Sequence, residues 1–319
     1  MTQAQYFPEK AGIIAASRFI DPVFLRTPLI TQSTADAALG CALFAKVETL
    51  NPIRSFKGRG TDWWMQQQPG DVTTIVSASA GNFGQGLAWA GRRQGRTVVI
   101  YAATTANPAK IEAMRRLGAD VRLQGADFDA AKDAARRFAT ENGFVFVEDG
   151  AHREIAEGAG TIALEITETL ANLGKTLDAI IVPLGNGALL TGVGAWMRAE
   201  MPSCKVVGVV AANAPAMKCS FEGGTIVSTE MAATTADGIA VRQCVPYALD
   251  CMRETVDAVW AVDEATIADA RAFCLRHYGL VVEEAGAAGV AGLLAQRAAL
   301  TGKTVATILC GGNVRLEYS

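Results

Sequence analysis

The strongest constraint on this chain is an alternation. Between residues 42 and 309, short apolar runs rich in Val, Ile and Thr are followed again and again by stretches with helical periodicity. Strands separated by helices assemble into largely parallel sheets covered by helices, the α/β class. Strands are expected at 42–47, 74–77, 97–101, 120–123, 144–147, 179–182, 206–210, 258–262 and 304–309. Helices are expected at 84–94, 109–117, 128–142, 158–173, 189–200, 263–278 and 285–301. At 319 residues, half of them hydrophobic, the chain exceeds what one core usually supports. No repeat, low-complexity tract or long linker divides it, so two domains sharing a cleft are expected. In open α/β sheets ligands bind beyond the carboxyl ends of the strands, so the loops there carry the search for function.

Several classes drop out. The formal net charge is −3 with both signs interspersed, and no basic stripe offers a footprint for nucleic acid. The apolar runs are broken well short of the ~20 residues a membrane helix needs. The first ten residues lack a charged-then-apolar signal pattern, so the cytosol is the expected compartment. Seven cysteines with no C-x-x-C pair, beside only two histidines, argue against a disulfide framework and against a metal site. His152 and His277 read as structural or surface residues.

Four segments carry chemistry, and each is expected to follow an apolar strand and open a helix. In Asn51-Pro-Ile-Arg-Ser-Phe-Lys-Gly-Arg-Gly60, Lys57 stands at a helix start among small and aromatic neighbours. Desolvation and the positive helix terminus disfavour a charged amine there, and a neutral amine can form a Schiff base. Taken alone, such a lysine is usually a solvated surface residue. Ser77-Ala-Ser-Ala-Gly-Asn-Phe-Gly-Gln-Gly86 offers backbone N–H groups to an anion at a helix start, or is an ordinary capped turn. Val182-Pro-Leu-Gly-Asn-Gly-Ala-Leu-Leu-Thr-Gly192 is a Gly-rich turn suited to phosphate, and its spacing is not the dinucleotide G-x-G-x-x-G. Leu309-Cys-Gly-Gly-Asn313 closes the last strand and offers a thiol to a heterocycle nitrogen, or is a buried cysteine beside a turn.

In order and spacing these segments resemble the fold-type II pyridoxal-phosphate (PLP) enzymes, which are tryptophan synthase β-like. The closest resemblance is to their L-serine/L-threonine ammonia-lyase (dehydratase) branch. The matching motifs are Ser55-Phe56-Lys57-Gly58-Arg59-Gly60, Ser79-Ala80-Gly81-Asn82 ending in Gln85-Gly86, and Gly160-Thr161-Ile162 with Glu165. Further matches are residues 236–241, Glu283 with Ala285-Gly286-Ala287-Ala288, and Gly311-Gly312-Asn313. The resemblance implies two open parallel-sheet domains with PLP in the cleft. Residues 48–147 would form a small domain, and 1–47 plus 148–319 a large one. Lys57 would bind PLP covalently and take the Cα proton. Phe56 would lie against the ring, Asn82 would bond the ring hydroxyl, and Glu283 would lie near that edge. Gly185, Asn186, Gly187, Ala188 and Leu189 would bind the phosphate, and Cys310 would face the pyridine nitrogen. Ser55, Ser79, Ala80, Gly81 and Phe83 would surround an amino-acid substrate.

The implied reaction is α,β-elimination of a β-hydroxy amino acid such as L-threonine or L-serine to a 2-oxo acid and ammonia. A neutral thiol at the pyridine nitrogen suits elimination. A β-replacement synthase of the cysteine-synthase kind is the alternative, followed by a threonine-synthase-like enzyme, a racemase, or a catalytically silent homologue. A homodimer is the family expectation. Several residues depart from the family pattern. Ile53-Arg54 replaces Thr-Gly, and Arg54 is expected either in an ion pair or on a second acidic group of the substrate, such as 3-hydroxyaspartate. Phe83 replaces a frequent His and suits a larger, phenylserine-like substituent. Ala80 stands where serine racemases carry a serine, which disfavours racemisation. Residues 209–217 lack the carboxylates of the racemase-type metal site. Asn186 and Ala188 stand where glycine is usual, and Glu284 where proline is. The sequence ends six residues after Asn313, so the regulatory domain of the biosynthetic enzymes is not expected.

Overall fold

The apolar runs do form strands, and they sort into two sheets. The computed structural model describes residues 6–314, so residues 1–5 and 315–319 of the expected large domain lie outside the described residues. In chain order the strands are β1 (Leu29–Ile30), β2 (Ala42–Val47), β3 (Thr74–Ala78), β4 (Thr97–Ala102), β5 (Asp120–Leu123), β6 (Val145–Phe146), β7 (Ala179–Pro183), β8 (Lys205–Ala211), β9 (Ala258–Val262) and β10 (Thr304–Leu309). One sheet has the order β1-β2-β10-β7-β8-β9, the other β5-β4-β3-β6. Every pairing is parallel except β1 with β2. β7 is buried at every residue. That is why these strands read as continuous apolar runs rather than alternating ones: helices cover both faces of a parallel sheet.

The helices are α1 (Lys10–Phe19), α2 (Thr34–Leu39), α3 (Lys57–Gln66), α4 (Asn82–Arg93), α5 (Pro108–Arg116), α6 (Phe128–Asn142), α7 (Arg153–Asn172), α8 (Ala188–Glu200), α9 (Ala216–Gly223), α10 (Pro246–Thr255), α11 (Glu264–Tyr278), α12 (Glu284–Ala295) and α13 (Arg297–Leu300). Their ends follow local chemistry. Asp127 accepts from the Ala130 N–H to start α6, and Gly143 closes that helix in the left-handed region. Asp263 and Gly279 do the same for α11. The expected helix at 285–301 is broken at Gln296 into α12 and α13.

Helix α7 is the seam between the sheets, lying against α3 on one side and α8 on the other. Glycines allow this. A Cβ on Gly158 would fall 2.6 Å from the Arg59 carbonyl, and one on Gly192 would fall 1.9 Å from the Ala156 carbonyl. Beside the seam lies a largely buried ionic cluster, with Arg59 and Glu48 fully enclosed and Glu165 at its edge. The Arg59 guanidinium donates to both carboxylate oxygens of Glu48, at 2.9 Å each, and to Glu165 at 2.7 and 2.9 Å. Lys46 pairs with Glu165 at 2.6 Å. Burial alone would raise the Glu165 carboxyl, but Arg59 and Lys46 hold it down at about 2. The cluster ties α3, which begins at Lys57, to β2 and α7.

Candidate active site

One cavity of about 1010 Å³ opens between the two sheets. It is lined by strand ends and helix starts from both, the position general to open α/β folds. Of the residues expected from sequence, Phe56, Lys57, Ser79, Ala80, Gly81, Asn82, Phe83, Gly185, Asn186, Gly187, Ala188, Leu189, Glu283 and Cys310 all line it.

Lys57 is the first residue of α3, and its amine lies 4.6 Å from the Phe56 ring centroid and 5.8 Å from that of Phe83. It has an acidic partner that the sequence did not reveal: Asp149 Oδ2 stands 2.5 Å from Nζ. The expectation of an amine freed of its charge by desolvation and a helix terminus left this carboxylate out. Asp149 Oδ1 is buried and has no hydrogen-bond partner. Asn186 Nδ2 donates to Oδ2 at 3.4 Å.

The Asn loop is held by its own serine. Ser79 Oγ accepts from the Gly81 N–H at 3.2 Å and the Gly84 N–H at 2.9 Å. Asn82 and Phe83, the first two residues of α4, have no intrahelical acceptor for their N–H groups. The Asn82 side chain donates to Glu283 Oε1 at 2.6 Å and accepts from Asn313 Nδ2 at 2.8 Å. This places the terminal asparagine motif in the site, a role not assigned from sequence. Burial pushes the Glu283 carboxyl up to about 7, against the pull of Lys110. Its Oε2 is buried without a partner.

Cys310 follows β10 and opens no helix among the described residues, unlike the other three segments. Its carbonyl accepts from the Phe56 N–H at 3.1 Å and the Ser55 hydroxyl at 3.3 Å, so the first and last motifs are locked together. Burial drives its thiol far above the usual range, so it is neutral. On the same cavity, Gly187 precedes α8 as its cap, with a φ of +97° that suits glycine and no side chain to cap the helix. Uncapped N–H groups at a helix start form an anion cradle.

Two expected substrate contacts lie outside the cavity. Ser55 is fully buried beneath it, bonding the Lys57 N–H at 3.3 Å. Arg54 is exposed, in a turn where its φ is +52° and its carbonyl is held by the Gly312 N–H. It does not line the cavity and so does not reach a second acidic group of a substrate held there in this geometry, and it makes no ion pair among the described residues. The two histidines are built into the frame: His152 Nε2 accepts from the Glu148 N–H, and His277 bonds Thr34 at 2.8 Å.

These groups fit PLP. A lysine amine is available for the aldehyde, uncapped N–H groups for the phosphate, and a neutral thiol and an orphaned carboxyl oxygen for the ring. Such an arrangement defines a cofactor-dependent enzyme of the α/β class. The chain belongs to the pyridoxal-phosphate dependent enzyme family (PALP), whose model matches residues 20–311.

Its similarities run across nearly the whole length. It is 36% identical over 301 residues to an L-threonine ammonia-lyase of Thermotoga maritima, covering 94% of this chain and 74% of that one. It is 31% identical to an L-threo-3-hydroxyaspartate ammonia-lyase of a Pseudomonas species, covering 96% and 95%. Its fold matches a T.th. threonine deaminase with a TM-score of 0.92 at 30% identity, over 98% of this chain and 100% of that one. Maize serine racemase matches with a TM-score of 0.91 at 28% identity, over 98% and 95%.

Proposed function

We propose that this enzyme eliminates water from a β-hydroxy amino acid of the threonine or serine kind, and that the resulting enamine takes water back to give a 2-oxo acid and ammonia. The observation that carries the reading is Lys57 facing the cavity with a neutral Cys310 thiol and the uncapped α8 start around it. The ammonia-lyase and deaminase relatives support it.

PLP, when bound, supplies an electron sink that acidifies the Cα–H of an amino acid joined to it. The chain's own residues do the rest. Lys57 would hold the cofactor's aldehyde carbon and, once freed by the substrate amine, would take the Cα proton on Nζ. The N–H groups of Gly185, Asn186, Gly187, Ala188 and Leu189 would hold the phosphate. Cys310 would face the ring nitrogen, where a neutral thiol would leave it unprotonated and suit elimination. Asn82 and Glu283 would hold the ring hydroxyl edge. The free N–H groups of Asn82 and Phe83, with Ala80 beside them, hold the substrate carboxylate, while Ser79 fixes the loop. Phe56 and Phe83 wall the cavity against water.

The two sheets support the division into a small domain, 48–147, and a large one, 1–47 plus 148–319. The free cysteines fit a reducing compartment such as the cytosol, and a homodimer is the assembly we propose. Among the described residues no helix is long and apolar enough to cross a membrane.

The test is release of 2-oxo acid and ammonia from L-threonine or L-serine by the PLP-loaded protein. Lys57→Ala should abolish both the release and the visible cofactor band. A band with no oxo acid from any β-hydroxy amino acid would overturn the elimination reading.

A further inference from the structure

We propose that Asp149 selects the substrate by its β-substituent. A hydroxyl or ammonium that donates a hydrogen bond to this carboxylate is accepted, and a second carboxylate is rejected. The inference rests on reading Lys57 as the group that takes the Cα proton.

The argument begins with distance. Asp149 Oδ2 lies 2.5 Å from Lys57 Nζ. Cβ is one bond from Cα, so whatever borders Nζ also borders the β-substituent. Whether Lys57 is engaged with the cofactor or stands released as the neutral amine that takes the Cα proton, Asp149 has no cation beside it. One oxygen is then left with Asn186, and Oδ1 is buried with no partner at all. A largely buried carboxylate in that condition needs a donor, and the β-substituent is the group at hand. The carboxylate is also firmly placed. It follows β6 at a point where the Val147 N–H bonds the Val76 carbonyl, and the Ala151 N–H closes a turn onto Glu148.

Charge balance within the cavity points the same way. Apart from Lys57, its lining cations are Lys110, Lys132, Arg136 and Arg242. Each is already paired: Lys110 with Asp237, Lys132 and Arg136 with Glu148, and Arg242 with Asp129. No unpaired lining cation remains among the described residues to receive a second substrate carboxylate, and Arg54 lies outside. Like charges held a few ångströms apart at a partly buried site lower affinity on the order of 100-fold. This chain therefore differs in substrate from the relative that acts on L-threo-3-hydroxyaspartate.

The experiment uses an isosteric pair that cannot undergo the reaction. L-Asparagine and L-aspartate differ in whether the side chain carries a donor or a charge, and neither has a β-hydroxyl to lose. Dissociation constants would be read from the shift of the cofactor band in the loaded enzyme. The expected result is asparagine binding about 100-fold more tightly than aspartate, with Asp149→Asn bringing the ratio within about tenfold. L-Serine against L-threo-3-hydroxyaspartate should follow the same order in kcat/KM. Equal binding of the two ligands by the wild-type enzyme overturns the proposal without any variant. So does an unchanged ratio in Asp149→Asn, or in Asp149→Ser should the first variant not load cofactor. A band that discriminates between the ligands while no β-hydroxy amino acid yields oxo acid would overturn the elimination reading and leave the role of Asp149 standing.

Discussion

Replacing Arg59 by methionine should destabilise the protein severely while keeping most of the side chain's volume. In the wild type, Arg59 is fully buried, and its guanidinium donates to Glu48, Glu165, Thr161 and Thr27. The cluster, completed by Lys46, has two cations and two carboxylates. Methionine leaves Glu165 with Lys46 and strands the fully buried Glu48 carboxylate without a cation. Removing one partner of a buried pair costs about 3–5 kcal/mol, because the orphaned charge stays desolvated. At an unfolding entropy of about 2 cal/mol/K per residue, a chain of 319 residues should lose roughly 5–8 °C in Tm. The assay is urea denaturation with a parallel thermal scan. Adding Glu48→Gln to Arg59→Met should recover part of the loss, since Glu165 keeps Lys46 and the stranded charge is that of Glu48. A single-variant loss below about 1 kcal/mol would refute the claim that the cluster holds α3 to the frame. The acid arm gives an independent check. The Glu165 carboxyl is depressed from 4.5 to about 2, so the stability it contributes is present above pH 4.5 and disappears as the pH falls toward 2.

Glu283 has the opposite sign. Its carboxyl is raised from 4.5 to about 7, so the apoprotein should be most stable below pH 4.5 with respect to this group. It should lose on the order of 3 kcal/mol as the pH rises through 7, and Glu283→Gln should flatten that slope in urea melts at pH 5 and 8. Cys219 is exposed while the other six cysteines are buried, so one thiol should react with a disulfide reagent in the native protein and seven after unfolding. Rapid labelling of a second thiol in the native state would contradict this burial.

Much of the fold was legible because parallel strands buried on both faces must be apolar throughout. All nine expected strands are present, several within a residue of their expected ends. β1 escaped notice because two half-buried residues carry no pattern. Helices α1, α2, α9 and α10 were not anticipated; all four are short, and α10 starts at a proline that reads equally as a turn. In the site, the segments recognised from sequence converge because each ends a strand on the same side of a sheet. What sequence could not give was the pairing between segments. Asp149 is 92 positions from Lys57, and Glu283 is 201 from Asn82. No local signal links residues so far apart. Arg54 is carried away from the cavity by a positive φ in a turn whose carbonyl is held by Gly312 from the far end of the chain.

The position of β10 between β2 and β7 has a consequence for how the protein is made. β2 is synthesised early, yet its full-length partner in the sheet runs from Thr304 to Leu309. At about 5–20 residues per second, roughly 250 residues and 13–50 s of translation separate the two. Throughout that time β2 has only the two-residue β1 beside it, while the four-stranded sheet is contiguous in sequence and can close on its own. The nascent chain therefore carries an apolar strand edge in waiting, the kind of surface that chaperones shield and that aggregation exploits.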